Sequence, residues 1–216
     1  EEWYMSPQIV NAYYSPSNNE IVFPAGILQP PFYDFQADPA VNYGGIGAVI
    51  GHEISHAFDD SGADYDGEGN LVKWWTDNDF EKFNELGDAL AKQYSKIEVL
   101  PELFINGKFT LGENIGDLGG VNSAYDGLQL FLDKNNPIGD IDGFSQNQRF
   151  FISWATIWRI KMREEALRTR IMTDPHSPGM YRGYVPLQNI EAFYNAFNIN
   201  EGDAMYLSPL ERVEIW

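Results

Sequence analysis

His52-Glu53-Ile54-Ser55-His56, set within Gly51 to Asp60 (GHEISHAFDD), is the stretch on which the reading of this chain turns. On a helix, residues four apart lie on one side, so the two imidazoles can share one divalent ion while Glu53 stands beside them as a general base. A chain of 216 residues with three His produces this HExxH pattern by chance about 0.003 times. The flanks also read as helix. Ile46, Val49, Ile50, Ile54 and Phe58 offer apolar contacts for a mostly buried helix that begins near Val41. Gly44, Gly45, Gly47 and Gly51 each weaken such a helix by about 1 kcal/mol relative to Ala, which makes sense only where something packs against the bare backbone.

Working outward, Gln8 to Ser15 and Glu20 to Phe23 are β-prone runs joined by the turn residues Pro16 to Asn19, a hairpin pattern. Pro24, Pro30, Pro31 and Pro39 punctuate the irregular stretch that follows. Beyond the motif, Thr76 with Asp79 resembles an N-cap, and Phe80, Phe83, Leu90, Tyr94 and Ile97 form a helical stripe. A third helix should run from near Glu113 with Leu118, Val121, Tyr125, Leu128 and Leu132 on one face. A fourth is expected from near Ser145 to Met172, and a short last one over Leu187 to Phe197. Neither a repeat nor a linker divides these elements, so residues 1–216 read as one helix-rich α+β domain. Asp64, Asp66, Glu68 and Gly69 imitate the opening of an EF-hand loop, but position twelve is Trp75 where a bidentate Glu is required. Gly62 to Asn70 therefore reads as a tight turn.

Composition narrows the function. Apolar residues at 44% and aromatics at 15% suffice for a substantial core, and a formal charge of −18 disfavours nucleic acid and anionic membrane as partners. No apolar run approaches the roughly 20 residues of a spanning helix, and Glu1, Glu2 and Trp3 do not open a signal peptide. With no cysteine, disulfides and thiolate ligands are excluded, so a metal must be held by His, Asp or Glu. The first residue is not Met, and the chain reads as cut from something longer.

Two histidines do not complete a catalytic zinc site, which usually takes three protein ligands. Glu113, which opens Glu113-Asn114-Ile115-Gly116-Asp117, is the candidate third ligand; the competing reading is a carboxylate interacting with its own helix dipole. Asp117, one turn on, could orient a ligand histidine from behind, and Asp59 and Asp60 are also in range for that task.

These residues carry a resemblance. Val10 to Tyr14, Ile21 to Phe32, Asn42 to Asp60, Gly112 to Gly120 and Asp174 to Arg182 are together similar to the C-terminal catalytic lobe of the neprilysin-like (M13) zinc metallopeptidases, including bacterial neutral endopeptidases. The resemblance spans nearly the whole chain and implies a thermolysin-like zincin lobe holding one Zn²⁺. It implies His52, His56 and Glu113 as ligands, Glu53 as the base that activates the metal-bound water, and Asp117 as the residue that orients His52. The metal would lower the pKa of that water to about 7, and Glu53 would later deliver its proton to the leaving amine.

It also makes His176, in the proline-bounded loop Asp174-Pro175-His176-Ser177-Pro178-Gly179, a stabiliser of negative charge on the former carbonyl oxygen, with Asp174 orienting the ring. Substrate main chain would lie along Asn11 and Ala12 on the predicted strand, and Arg182 would contact a substrate carbonyl. Phe32, Val49, Ile157 and Trp158 match an apolar pocket for the residue after the scissile bond; the competing reading, favoured for each of them taken alone, is core packing. The activity implied is endopeptidase cleavage of oligopeptides on the amino side of hydrophobic residues. The other reading is a catalytically incompetent zinc-binding fragment that serves as a structural or protein-binding module. Members of the family carry a helical lobe before this segment, which would be a partner of the present chain. The face exposed without it could pair two copies into a homo-oligomer. The terminal Trp216 fits the family, whereas Glu211 stands where a cysteine is frequent, and the cysteine-free composition suggests a cytoplasmic bacterial member.

Overall fold

A hairpin opens the structure, a computed structural model that describes residues 3–135 and 138–215; Glu1, Glu2 and Trp216, named above, lie outside them. Strands β1 (Tyr13–Ser15) and β2 (Glu20–Val22) pair antiparallel, with Tyr13 opposite Val22 and Ser15 opposite Glu20. The pairing is shorter than predicted. Residues 8–12 stay out of the ladder because the segment before them is drawn aside: the Pro7 carbonyl accepts the Gly26 N–H at 2.7 Å, and Gln8 packs on the bare Gly26 backbone. Asn11 and Ala12 therefore precede β1 instead of belonging to it.

The decisive stretch lies in an unbroken helical run, residues 39–58. It comprises α1 (Pro39–Asn42), a π turn (Tyr43–Gly47), α2 (Ala48–Ser55) and a 3₁₀ turn (His56–Phe58). Asp38 caps it by accepting the Ala40 N–H at 3.0 Å. The burial differs from expectation. Ile46 and Val49 are buried, but Ile50, Ile54 and Phe58 are exposed, and the packed side of the run is instead its glycine face. There Gly44 lies against the Phe150 carbonyl, Gly45 against that of Phe32 and Gly51 against the Gly120 backbone, while Gly47 has ordinary clearance.

Next come the turn at Asp66 and helix α3 (Asp77–Ser95), capped by Thr76, whose hydroxyl accepts the Asp79 N–H at 3.2 Å. Asp66 spends one carboxylate oxygen on the N–H groups of Glu68 and Asn70, at 3.0 and 2.9 Å, holding the turn read from the sequence. A second small hairpin, β3 (Glu98–Leu100) with β4 (Leu103–Phe104), leads to α4 (Leu111–Lys134).

Helices α2 and α4 cross with their backbones touching. A Cβ on Gly120 would sit 2.5 Å from the Ala48 carbonyl and 2.6 Å from the His52 nitrogen, so no side chain larger than hydrogen fits there. Around this crossing the core is completed by Phe83, Leu90 and Tyr94 of α3, by Leu118, Val121 and Leu128 of α4, and by Phe150, Phe151 and Trp154 of α5 (Gln146–Ile157), all buried. Each contributes about 1.5 to 3 kcal/mol of burial energy, so the crossing is held from three sides.

Ser145 and Gln148 form a capping box at the start of α5, but the helix expected to reach Met172 ends at Ile157. Residues 158–163 leave it and α6 (Glu164–Thr173) begins anew. The cause is tertiary: Trp158 turns to lie beneath the Arg182 guanidinium, 3.9 Å from ring centroid to Cζ, and its carbonyl accepts the Ile160 N–H at 2.7 Å. After a short loop comes α7 (Gly179–Tyr184), which the sequence pattern did not announce. The last predicted helix is two pieces, a 3₁₀ turn (Pro186–Asn189) and α8 (Glu191–Phe197). The fold is helix-rich α+β, with two small antiparallel sheets among the described residues. Among the described residues no helix is long and apolar enough to cross a membrane.

Candidate metal centre

α2 delivers His52, Glu53 and, at its C-terminal boundary, His56; α4 delivers Glu113 and Asp117; the loop between α6 and α7 delivers His176. The crossing sets their spacing, because Gly116 lies so close to His52 that a Cβ would be 2.8 Å from the imidazole. His52 Nε2 is 3.2 Å from Glu113 Oε2, His56 Nε2 is 3.8 Å from Glu113 Oε1, and His176 Nε2 is 3.1 Å from Glu113 Oε2. Three imidazoles from two regions thus converge on one carboxylate.

Each ring is backed by an aspartate. His56 Nδ1 lies 2.7 Å from Asp59 Oδ2 and His176 Nδ1 lies 2.6 Å from Asp174 Oδ1. His52 Nδ1 approaches Asp117 Oδ1 at 2.9 Å, obliquely to the best hydrogen-bond line. Asp117, fully buried, takes two hydrogen bonds from Arg182, Nε to Oδ2 at 2.8 Å and Nη2 to Oδ1 at 2.7 Å. Arg182 stacks on Trp158 and reaches within 3.6 Å of Glu113.

This donor set fits a divalent cation. A ring that holds its proton on Nδ1 against an aspartate turns the Nε2 lone pair outward, and here those lone pairs face a carboxylate. Lone pair against carboxylate is repulsive unless a proton or a metal cation lies between them. Ligand atoms of His52, His56 and Glu113 all fall within 4.8 Å of one another, and Glu113 Oε2 is buried with no hydrogen bond among the described residues. Nitrogen and oxygen donors at such spacing suit Zn²⁺.

The electrostatics without the ion agree. Burial works against a charged His52, yet Asp117 and Glu113 overcome it and push its pKa up to about 10. Burial alone would raise Glu113, but His176 and His52 hold its carboxyl well below the usual range. Glu53 moves the other way. It is buried, and desolvation raises its carboxyl although His52 and His56 partly offset that. A carboxylate raised toward neutrality accepts a proton more readily than an ordinary one.

The cleft around this cluster has a volume of about 700 Å³, and every residue proposed from sequence for the substrate lines it: Asn11, Ala12, Phe32, Val49, Ile157, Trp158 and Arg182. Val49 and Ile157 are buried as well, so they serve the core and the cleft wall together. Arg182 is not in a surface salt bridge but in a buried one. Sequence reasoning did not single out Asn114, Ser177 or Arg170. Each makes a polar contact near the cluster: Ser177 and Asn114 meet from two different elements, which no spacing rule announces, whereas Arg170 pairs with Asp174 at i,i+4 spacing at the end of α6.

Two histidines one helical turn apart, a glutamate from a crossing helix and a second glutamate beside the first histidine define a zincin-type centre. The family model described as peptidase family M13 matches residues 11–213, and the chain belongs to that family. It is 43% identical to mouse endothelin-converting enzyme 1 over 218 aligned residues, covering 100% of this chain and 28% of that protein. It is 44% identical to the neutral endopeptidase of Lactococcus lactis, covering 99% of this chain and 32% of that one. Among solved structures, the Mycobacterium tuberculosis zinc metalloprotease Zmp1 with an inhibitor superposes at a TM-score of 0.94 and 54% identity, with 100% of this chain matching 34% of that one. PepO from Lactobacillus rhamnosis superposes at 0.89 and 43%, with 100% of this chain matching 32% of it. The chain spans about a third of the length of these relatives.

Proposed function

We propose that this chain carries the catalytic centre of a zinc-dependent endopeptidase that hydrolyses oligopeptides on the amino side of hydrophobic residues. The observation that carries the reading is the convergence of three aspartate-backed imidazoles on Glu113, with the raised carboxyl of Glu53 beside them. His52, His56 and Glu113 would hold one Zn²⁺, with Asp117 keeping His52 in register. Bound there, the ion supplies Lewis acidity that polarises the scissile carbonyl and acidifies water.

The remaining work falls to side chains of this chain. Glu53 takes the proton from the attacking water and returns it to the nitrogen of the departing amine, so no covalent link to the protein forms. His176, charged and held by Asp174, donates a hydrogen bond to the oxygen on which negative charge develops. Arg182 uses Nε and Nη2 on Asp117, which leaves Nη1 for a substrate carbonyl. Backbone groups at Asn11 and Ala12 align the peptide along the cleft rim. Phe32, Val49, Ile157 and Trp158 present an apolar wall to the side chain after the scissile bond, which favours hydrophobic residues there. The rest of a longer protein, of the length seen in the relatives, is the natural partner of this chain.

The test is Glu53→Gln. The variant should keep stoichiometric zinc and its melting behaviour while cleavage of a quenched-fluorescent oligopeptide falls about 10²- to 10⁴-fold. Zinc bound at full stoichiometry with no turnover by the unsubstituted protein would instead favour the zinc-binding module.

A further inference from the structure

His176 is carried by a loop, not by either crossing helix, so something must fix that loop against α4 for its ring to meet Glu113. The contact made by Asp174 cannot do so, because Asp174 belongs to the same loop and moves with it. Besides the approach of the His176 ring itself to Glu113, one polar contact among the described residues joins this loop to α4. Ser177, fully buried and next to His176, donates its hydroxyl to Oδ1 of Asn114 at 2.8 Å; Asn114 is fully buried and next to Glu113.

The direction of this bond follows from the donors behind it. The Thr110 hydroxyl donates to the Asn106 carbonyl at 3.2 Å, so toward Asn114 its oxygen can only accept. Asn114 must then present its NH₂ to Thr110, at 2.9 Å, and its carbonyl oxygen to Ser177. Four residues thus form a one-way hydrogen-bonded chain running from the His176 loop into the first turn of α4. No water is needed to complete it, and none of its members is titratable.

We propose that this buried chain, and the Ser177–Asn114 bond above all, sets the position of the His176 ring over Glu113, which makes Ser177 and Asn114 positioning residues. The assignment rests on His176 acting in hydrolysis as proposed above. Each residue stands one position from the group it serves, so a change in the bond is passed on through a single peptide unit. Displacement of a catalytic group by about 1 Å can cost up to about 10²-fold in rate.

The experiment is a double-mutant cycle between Ser177→Ala and His176→Ala, with kcat and KM measured on a quenched-fluorescent oligopeptide and zinc content on each protein. Ser177→Ala should lower kcat about 5- to 50-fold with KM and zinc unchanged, and should cost nothing further in the His176→Ala background. Thr110→Ser keeps the hydroxyl and should behave as the unsubstituted protein, whereas Thr110→Val should share the kcat loss. The readout independent of turnover is NMR of the His176 ring, whose resonances should shift and broaden in Ser177→Ala. An unchanged kcat or unchanged His176 resonances in Ser177→Ala, or a full additional loss on top of His176→Ala, overturns the proposal. A His176→Ala protein with undiminished kcat would sink the catalytic reading of His176 instead, and the ring resonances would still decide whether the latch positions it.

Discussion

The candidate metal centre has two flanks built to one plan, an arginine, an aspartate and a histidine in line, both ending at Glu113. On one flank Arg182, Asp117 and His52 have side chains 7%, 0% and 7% exposed; on the other, Arg170, Asp174 and His176 are 27%, 30% and 36% exposed. The chemistry is the same and the solvent is not. Inside, Arg182 and Asp117 are locked by two hydrogen bonds and a stacked indole, and either one alone would be a stranded charge. Outside, Arg170 meets Asp174 through one contact at 3.2 Å that water screens. The inner flank is therefore a matter of folding, and the outer one a matter of placing a ring that substrate must reach.

Removing an inner charge should have the largest effect. Arg182→Ala leaves Asp117 buried without its guanidinium and with only His52 beside it, and should cost about 3 to 5 kcal/mol in urea unfolding, with zinc affinity falling as Asp117 holds His52 less firmly. Next, Gly116→Ala drives a methyl group toward the His52 ring; a loss of about 1 to 3 kcal/mol is expected, together with weaker zinc binding in a competitive chelator titration. Unaltered zinc affinity in that variant would break the link between crossing and ligand geometry.

Acidity separates metal-free from metal-loaded protein. In chelator, the folded chain holds the His52 proton up to about pH 10, whereas an unfolded chain releases it near pH 6.5. The stability that this proton contributes is complete below pH 6.5 and is lost as the pH rises through 10. Thermal midpoints in chelator should fall across that window, while zinc, which on the proposed reading would take the place of that proton, should hold them steady. The smallest effect belongs to the outer flank: Arg170→Ala should change stability by about 0.2 to 1 kcal/mol, and less in high salt. An effect as large as that of Arg182→Ala would erase the contrast between the flanks.

The sequence made the inner flank legible because its signals are local. His52 and His56 share a helix face, and Glu113 and Asp117 repeat the same spacing on a second helix. The glycines of the run announced close neighbours without naming them: α4 proved to be the neighbour of Gly51, α5 that of Gly44 and Phe32 that of Gly45, while Gly47 has none so close. The contacts that join separate elements were less legible. Nothing in residues 158–163, which hold neither Gly nor Pro, marks the end of α5; the break comes from Trp158 seeking the guanidinium of Arg182, a residue 24 positions on. The contact of Ser177 with Asn114 spans 63 positions and has no periodicity to betray it. The hairpin was placed correctly but drawn too long, because the pull of Gly26 on Pro7 is a tertiary contact that β-propensity does not register.

The crossing of α2 and α4 has one further consequence. Where main chains touch with no side chain between them, the separation of the two helices that carry His52 and Glu113 is fixed by peptide geometry and owes nothing to rotamer choice. Substitutions elsewhere in the apolar interior can then accumulate, raising or lowering the melting temperature, without detuning the spacing of those side chains. Such an arrangement lets the scaffold drift while its chemistry stands still.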